Sequence, residues 1–216
     1  MIAYIHGFNS SAASRTLGLL RQVFPRVAGL EYPSGGRFSD NLASLAAQAR
    51  ARLADDGPCL LVGSSLGGFY ASQAAAILGC PCALFNPVVR PAEALRQFLG
   101  RNTHFHTGAQ WEFTPAMLES YAAFPDTRTV NIPRFLVLGR QDEVLDPQCA
   151  RDYWQGHARI HETDDAHSLA RLDAPTVEAL RGLVDDAVHG TTVTADHDAH
   201  AHGTTAHADT SPLPGL

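Results

Sequence analysis

Lysine is missing from the chain. All 16 basic residues are arginine, set against 22 acidic ones, for a formal net charge of -6. The absence removes Schiff-base catalysis by a lysine amine and any phosphate loop built on lysine. The negative balance gives no global basic field to hold nucleic acid. Cysteine is scarce, with four in 216 residues. Cys59 and Cys82 stand in apolar runs, where a thiol behaves as a small hydrophobe. Cys80-Pro81-Cys82 has no second pair to complete a zinc site. The pattern reads as buried thiols in a reducing compartment rather than a disulfide framework. Long apolar runs are also absent, and nothing approaches the ~20 residues of a membrane span. Met1 leads straight into Ile2-Ala3-Tyr4-Ile5, without the basic segment and apolar core of a secretory signal. The expectation is a cytoplasmic protein with no membrane span and no nucleic-acid partner.

What is present suits one well-buried domain, with 45% hydrophobic and 18% charged residues. Short apolar runs alternate with helical patterns. Strands are expected at Ile2–Ile5, Leu30–Tyr32, Cys59–Val62, Cys82–Phe85, Phe135–Leu138 and His157–His161. Helices are expected at Ala13–Phe24, from a Ser39 or Asp40 cap to Ala54, at Leu66–Leu78 with Gly79 as its C-cap, and at Ala174–His189. The last carries Val177, Leu180, Leu183, Val184 and Val188 as its apolar positions. Near-continuous apolar strands separated by helices predict a mostly parallel sheet covered on both faces, an α/β class of fold. A long insertion, about 88–133, bears two short helical patterns near Pro91–Leu99 and Pro115–Ala123. It reads as a small cap. From 190 to 216, Thr, Ala, Asp and His dominate without apolar periodicity, which predicts a disordered tail. His189, His197, His200, His202 and His207 in and beside it match no structured metal spacing.

The stretch Gly63-Ser64-Ser65-Leu66-Gly67 lies where a buried strand stops and a helix starts. It is G-x-S-x-G in its strand–turn–helix context. So sharp a turn brings the residues two before and two after the serine together, which requires glycine at both. It also thrusts Ser65 clear of the sheet as a candidate nucleophile, at a helix N-terminus that favours developing negative charge. A serine needs a base, and the base an orienting acid, in the chain order Ser, acid, His. After the Phe135–Leu138 strand come Asp142 and Asp146. Asp146-Pro147 is accounted for as a helix cap followed by proline at the first helical position, so Asp142 is preferred and Asp146 is the alternative. His167, in the polar loop before the last helix, is the candidate base. His161 reads as structural. The N–H groups of Leu66 and Phe8 are the candidate oxyanion donors, with His6 bracing the loop. Arg90 has two open readings, an anion contact or a partner for Glu93.

Four stretches together resemble the YqiA-like esterases of the α/β-hydrolase superfamily: "YIHGFNSS" at Tyr4–Ser11, "LVGSSLGGFYA" at Leu61–Ala71, "NPVVRPAE" at Asn86–Glu93 and "DEVLD" at Asp142–Asp146. The Asn-Pro-Val-Val-Arg-Pro stretch is the most specific of them. The resemblance implies a three-layer α/β-hydrolase fold with a small helical cap. It implies Ser65, Asp142 and His167 as triad, and hydrolysis of carboxylic esters, with acyl thioesters as a further possibility. No metal or organic cofactor is implied. Two positions depart from the family's pattern: Gly139 stands three residues before Asp142 instead of next to it, and Asp164-Asp165-Ala166 replaces a glycine-rich approach to His167. Two other functions share these residues: an amidase or peptidase with the same triad, and a catalytically silent binding protein on a hydrolase fold.

Overall fold

The computed structural model describes residues 1–57 and 59–198. Among these residues eight strands and seven α-helices follow in the order β1 (Ile2–Ile5), α1 (Arg15–Val23), β2 (Val27–Leu30), α2 (Phe38–Asp56), β3 (Leu60–Ser64), α3 (Leu66–Leu78), β4 (Cys82–Phe85), α4 (Pro91–Leu95), β5 (Gly100–Thr103), β6 (Gln110–Phe113), α5 (Pro115–Glu119), β7 (Arg134–Gly139), α6 (Pro147–Trp154), β8 (Arg159–Thr163) and α7 (Ala174–Asp198). Six strands form one sheet in the order β2-β1-β3-β4-β7-β8, with every neighbouring pair parallel.

The strand period of two sorts side chains into two cores. Ala3, Ile5, Leu61 and Leu84 pack with Leu45 and Ala49 of α2, Phe69 and Tyr70 of α3, and Ala150 and Trp154 of α6. Ile2, Tyr4, Leu60, Val62 and Phe85 pack on the opposite face with Leu17 and Leu20 of α1 and Leu180 and Leu183 of α7. Both faces of the sheet are therefore covered. This is why the inner strands β1 and β4 read as continuous apolar runs, with no polar residue at alternate positions, whereas the edge strand β8, Arg159–Thr163, is mostly polar.

Several expected boundaries move, each for a local reason. The second strand is Val27–Leu30, not Leu30–Tyr32. It pairs in register from Ile2↔Val27 to Ile5↔Leu30 and ends where β1 ends. Tyr32 instead turns inward and stacks on His6, with ring centroids 4.5 Å apart. Neither Ser39 nor Asp40 caps α2. Arg37 is the N-cap, without a side-chain hydrogen bond. The helix starts at Phe38 because that ring is buried among Phe69, Tyr70, Tyr121 and Phe124. Its N–H donates to Ser120 Oγ at 2.9 Å. In α7, Ala179, Leu180, Leu183 and Ala187 form the buried stripe, and Val188 is exposed. The helix continues to Asp198, past the His189 at which the apolar pattern stops. Residues 199–216 of the histidine-bearing tail lie outside the described residues.

The connection between β4 and β7 holds α4 and α5, close to the expected helical patterns, and a hairpin of β5 and β6 that the sequence did not announce. Asn9, in the loop after β1, pins the hairpin. Its side-chain NH2 donates to Thr103 O at 2.6 Å, its Oδ1 accepts from Trp111 Nε1 at 3.0 Å, and its carbonyl accepts from Phe105 N at 3.1 Å.

Among the described residues no helix is long and apolar enough to cross a membrane. All four cysteines are free. Burial pushes the Cys59 thiol up to about 11 and Cys82 to about 12, which leaves both inert.

Candidate active site

Ser65 sits between β3 and α3 with φ 56° and ψ -123°. The turn holds it there by close backbone packing. A Cβ on Gly63 would stand 2.0 Å from Gly67 O, and one on Gly67 would stand 2.2 Å from Ile5 O. Glycine is thus required at both positions, as the pentapeptide implied. Gly7 belongs to the same arrangement, since a Cβ there would meet Ser65 Cβ at 3.3 Å. Ser64 Oγ points to Tyr4, accepting its hydroxyl at 3.2 Å.

Asp142 and His167 meet. His167 Nδ1 lies 2.9 Å and 3.0 Å from the two carboxylate oxygens of Asp142. The Asp142 side chain is 1% exposed, and its Oδ1 also accepts the Val144 and Leu145 N–H groups at 2.8 Å each. An ionised carboxylate only accepts, so it selects the tautomer with the proton on Nδ1 and leaves Nε2 as an acceptor. Asp146 does not join this pair. It caps α6, accepting from Gln148 N at 2.9 Å. The displaced Gly139 is explained as well. A Cβ there would lie 2.4 Å from Asp165 O and 2.7 Å from Ala166 O, so the end of β7 runs hard against the histidine loop. Glu143 was missed by sequence reasoning. Its Oε2 accepts the His167 N–H at 3.0 Å, which holds its carboxyl below the ordinary range.

Ser65, Leu66, Phe8 and His167 all line one cavity of about 390 Å³. Among the described residues, Ser65 Oγ makes no hydrogen bond with His167, and the Phe8 and Leu66 N–H groups have no hydrogen-bond partner. The cavity walls are mostly apolar: Phe85, Leu145 and Leu169 from the sheet side, with Val88, Leu95, Phe98 and Phe105 from the insertion. A smaller cavity of about 240 Å³ adjoins it and shares Val88, Ala94, Val144 and Leu145. Arg90 lines only this second space, where it faces Glu93 at 3.6 Å with both side chains largely exposed. Among the described residues, no group of three or more His, Cys, Asp or Glu is placed to hold a metal ion.

His161 and His6 are structural braces. His161 Nε2 lies 2.8 Å from Asp173 and its ring stacks on Phe135. His6 is fully buried, with Nδ1 donating to Gly7 O at 2.8 Å and Nε2 3.0 Å from Glu31. Burial lowers its pKa, against the opposing influence of the Gly7 carbonyl and Glu31. A histidine whose pKa is lowered in the fold binds a proton more readily once unfolded. Its contribution to stability is complete above the unfolded value of ~6.5 and is lost as pH falls below it. The melting temperature is therefore expected to fall between pH 7 and pH 5, and to fall less steeply in His6→Asn. Equal slopes would place the acid sensitivity elsewhere.

The sequence profile of the family described as "Uncharacterised protein family (UPF0227)" matches residues 1–181. The chain belongs to the UPF0227 family. A UPF0227 protein of Serratia proteamaculans (strain 568) is 28% identical over 188 residues, covering 85% of this chain and 98% of the relative. Among solved structures, Est1E from Butyrivibrio proteoclasticus is similar with a TM-score of 0.63 at 14% identity, over 90% of this chain and 88% of Est1E. Mouse alpha/beta hydrolase domain-containing protein 10 is similar with a TM-score of 0.55 at 16% identity, over 88% of this chain and 90% of the mouse chain. This UPF0227 protein thus has the α/β-hydrolase fold; Tyr4–Ser11 and Leu61–Ala71 contribute to the lining of the cavity that holds Ser65, and Asn86–Glu93 contributes mostly to the adjoining one.

Proposed function

We propose that this UPF0227 protein is a serine hydrolase that cleaves carboxylic esters, acyl thioesters among them, through an acyl-enzyme. The observation that carries the reading is His167, paired to the buried Asp142 carboxylate, lining the same cavity as Ser65 on its elbow. His167 Nε2 takes the Ser65 proton as Oγ attacks the acyl carbon. The oxygen that gains charge is held by the Phe8 and Leu66 N–H groups. On collapse, the leaving group takes the proton from His167, and the acyl group stays on Ser65. Water then attacks, giving a proton to Nε2, and Ser65 Oγ recovers it as the acid departs. Asp142 stabilises the imidazolium in each half. The Ser65–His167 hydrogen bond closes as the acyl group enters, since such bonds are commonly loose before substrate binds.

The cavity volume lies at the low end of the ~300–1,000 Å³ typical of small-molecule sites. Its apolar walls suit a short acyl chain or a single aromatic ring. In line with an aromatic acyl group, Est1E has also been solved with ferulic acid bound. The insertion serves as the cap that closes this pocket, and the free buried thiols suit a reducing compartment such as the cytoplasm.

The test is labelling of the purified protein with a fluorophosphonate, read by intact mass, beside hydrolysis of a short p-nitrophenyl ester. One adduct per chain on Ser65, with turnover, supports the reading. A folded protein that neither labels nor turns over overturns it and leaves a binding protein. Matched ester and anilide substrates separate esterase from amidase. Phe105 is 74% exposed at the tip of the hairpin yet lines the cavity, so Phe105→Ala is expected to raise KM for a butyryl or phenylacyl ester several-fold, about 1 kcal/mol of lost apolar contact, with kcat little changed. An unchanged KM would remove the hairpin tip from the substrate path.

A further inference from the structure

Among the described residues, three non-glycine residues have positive φ: Ser65 at 56°, Asn9 at 60° and Asn86 at 43°. Ser65 is the elbow and Asn9 clamps the hairpin. Asn86 is 3% exposed at the end of β4 and touches the backbone of the two loops that carry the proposed acid and base. Its Oδ1 accepts the Gly139 N–H at 2.7 Å. Gly139 opens the acid turn, and its carbonyl accepts Asp142 N at 3.2 Å. The Asn86 NH2 donates to Ala166 O at 3.2 Å and to His167 O at 2.9 Å. Its own N–H donates to Val137 O at 2.9 Å. The flanking residues hold the third member: Phe85 O accepts Ser65 N at 2.9 Å, and Val88 N donates to Ser65 O at 3.1 Å. Pro87 fills the space that a Cβ on Gly68 would need, 2.9 Å from Pro87 Cβ.

We infer that Asn86 is a positioning residue that sets His167 and the Asp142 turn at a fixed separation from Ser65. The inference rests on the triad reading above. The chemistry favours an amide in particular. One planar group supplies the acceptor that Gly139 needs and the two donors that the carbonyls of Ala166 and His167 need. An aspartate has the same shape and keeps the acceptor, but turns oxygen toward two carbonyl oxygens. A glycine keeps the backbone conformation and supplies nothing. The Asn-Pro-Val-Val-Arg-Pro motif thereby gains a role that the nucleophile, base and acid did not account for.

The experiment compares Asn86→Gly and Asn86→Asp with the wild type. Both variants are expected to melt cooperatively and to lose about 100-fold in kcat/KM and in fluorophosphonate labelling rate, with KM within a few-fold, because a reacting group displaced by ~1 Å costs that much. The low-field proton resonance of the His167 Nδ1–H bonded to Asp142 is expected to disappear from both. A folded Asn86→Gly with wild-type kcat/KM and an intact resonance overturns the inference, since the asparagine would then serve only its backbone angle. If that variant does not fold, Asn86→Asp decides on the same readings. If neither folds, scalar coupling across the Asn86 Nδ2–H to His167 carbonyl bond in the wild type decides, and its absence overturns the proposal. A wild type that does not label marks failure of the hydrolase reading itself, and the inference then stands or falls on the His167 resonance alone.

Discussion

Ser65→Ala is expected to lower kcat on an activated ester by about a million-fold and to abolish fluorophosphonate labelling, because nucleophile and base act as one unit. His167→Ala should cost nearly as much, and the double variant little more. The folded state should survive. Ser65 is held at φ 56°, outside the comfortable range for a residue with a Cβ. Alanine keeps that strain, whereas glycine removes it. Ser65→Gly should therefore be as inactive as Ser65→Ala yet melt at a higher temperature, by roughly 1–3 kcal/mol of relieved strain. Stability gained at the cost of all activity identifies a residue held in place for chemistry. A Ser65→Ala protein that retains turnover would remove the serine from the mechanism, and an unchanged Ser65→Gly melting point would remove the strain.

The second large effect is on the fold. Gly67→Ala places a Cβ 2.2 Å from Ile5 O and 2.3 Å from His6 O, and Gly63→Ala places one 2.0 Å from Gly67 O. These are backbone atoms of β1, of the loop after it and of the elbow itself, so no rotamer change makes room. Each substitution is expected to cost about 3 kcal/mol or more. For a chain of this size that is a fall in melting temperature of roughly 10 °C. Gly182→Ala provides the opposite sign. Nothing lies within 4 Å of a Cβ there, on the exposed side of α7. Alanine in a helix interior gains about 0.5–1 kcal/mol over glycine. Thermal melts of the three variants check the contrast, and a Gly67→Ala protein as stable as the wild type would contradict the packing of the elbow.

The sequence was legible where one local rule acts alone. The helix Leu66–Leu78, its Gly79 cap and the strand Cys82–Phe85 fall where expected, because apolar period and cap chemistry agree there. Asp142 is the carboxylate beside His167, while Asp146-Pro147 starts α6. The start of α2 was not legible. Phe38 is drawn into an aromatic cluster built from α3 and the insertion, a contact that no cap propensity records. The β5–β6 hairpin was hidden for a similar reason. Its strands are short and polar, and a residue of a distant loop, Asn9, holds them.

By itself the sequence determined the alternation of strands and helices and the strained turn at Ser65, and it set the chain order of the candidate serine, acid and histidine. These follow from spacing along the chain and from steric limits within a few residues. Only the tertiary structure decided which groups face one another. It placed Asn86 between the acid turn and the histidine loop, moved Arg90 out of the cavity that holds Ser65, and required glycine at 139 because the histidine loop presses on it. Such contacts join residues dozens of positions apart, and their geometry exists only once the parallel sheet has brought the ends of β1, β3, β4 and β7 side by side.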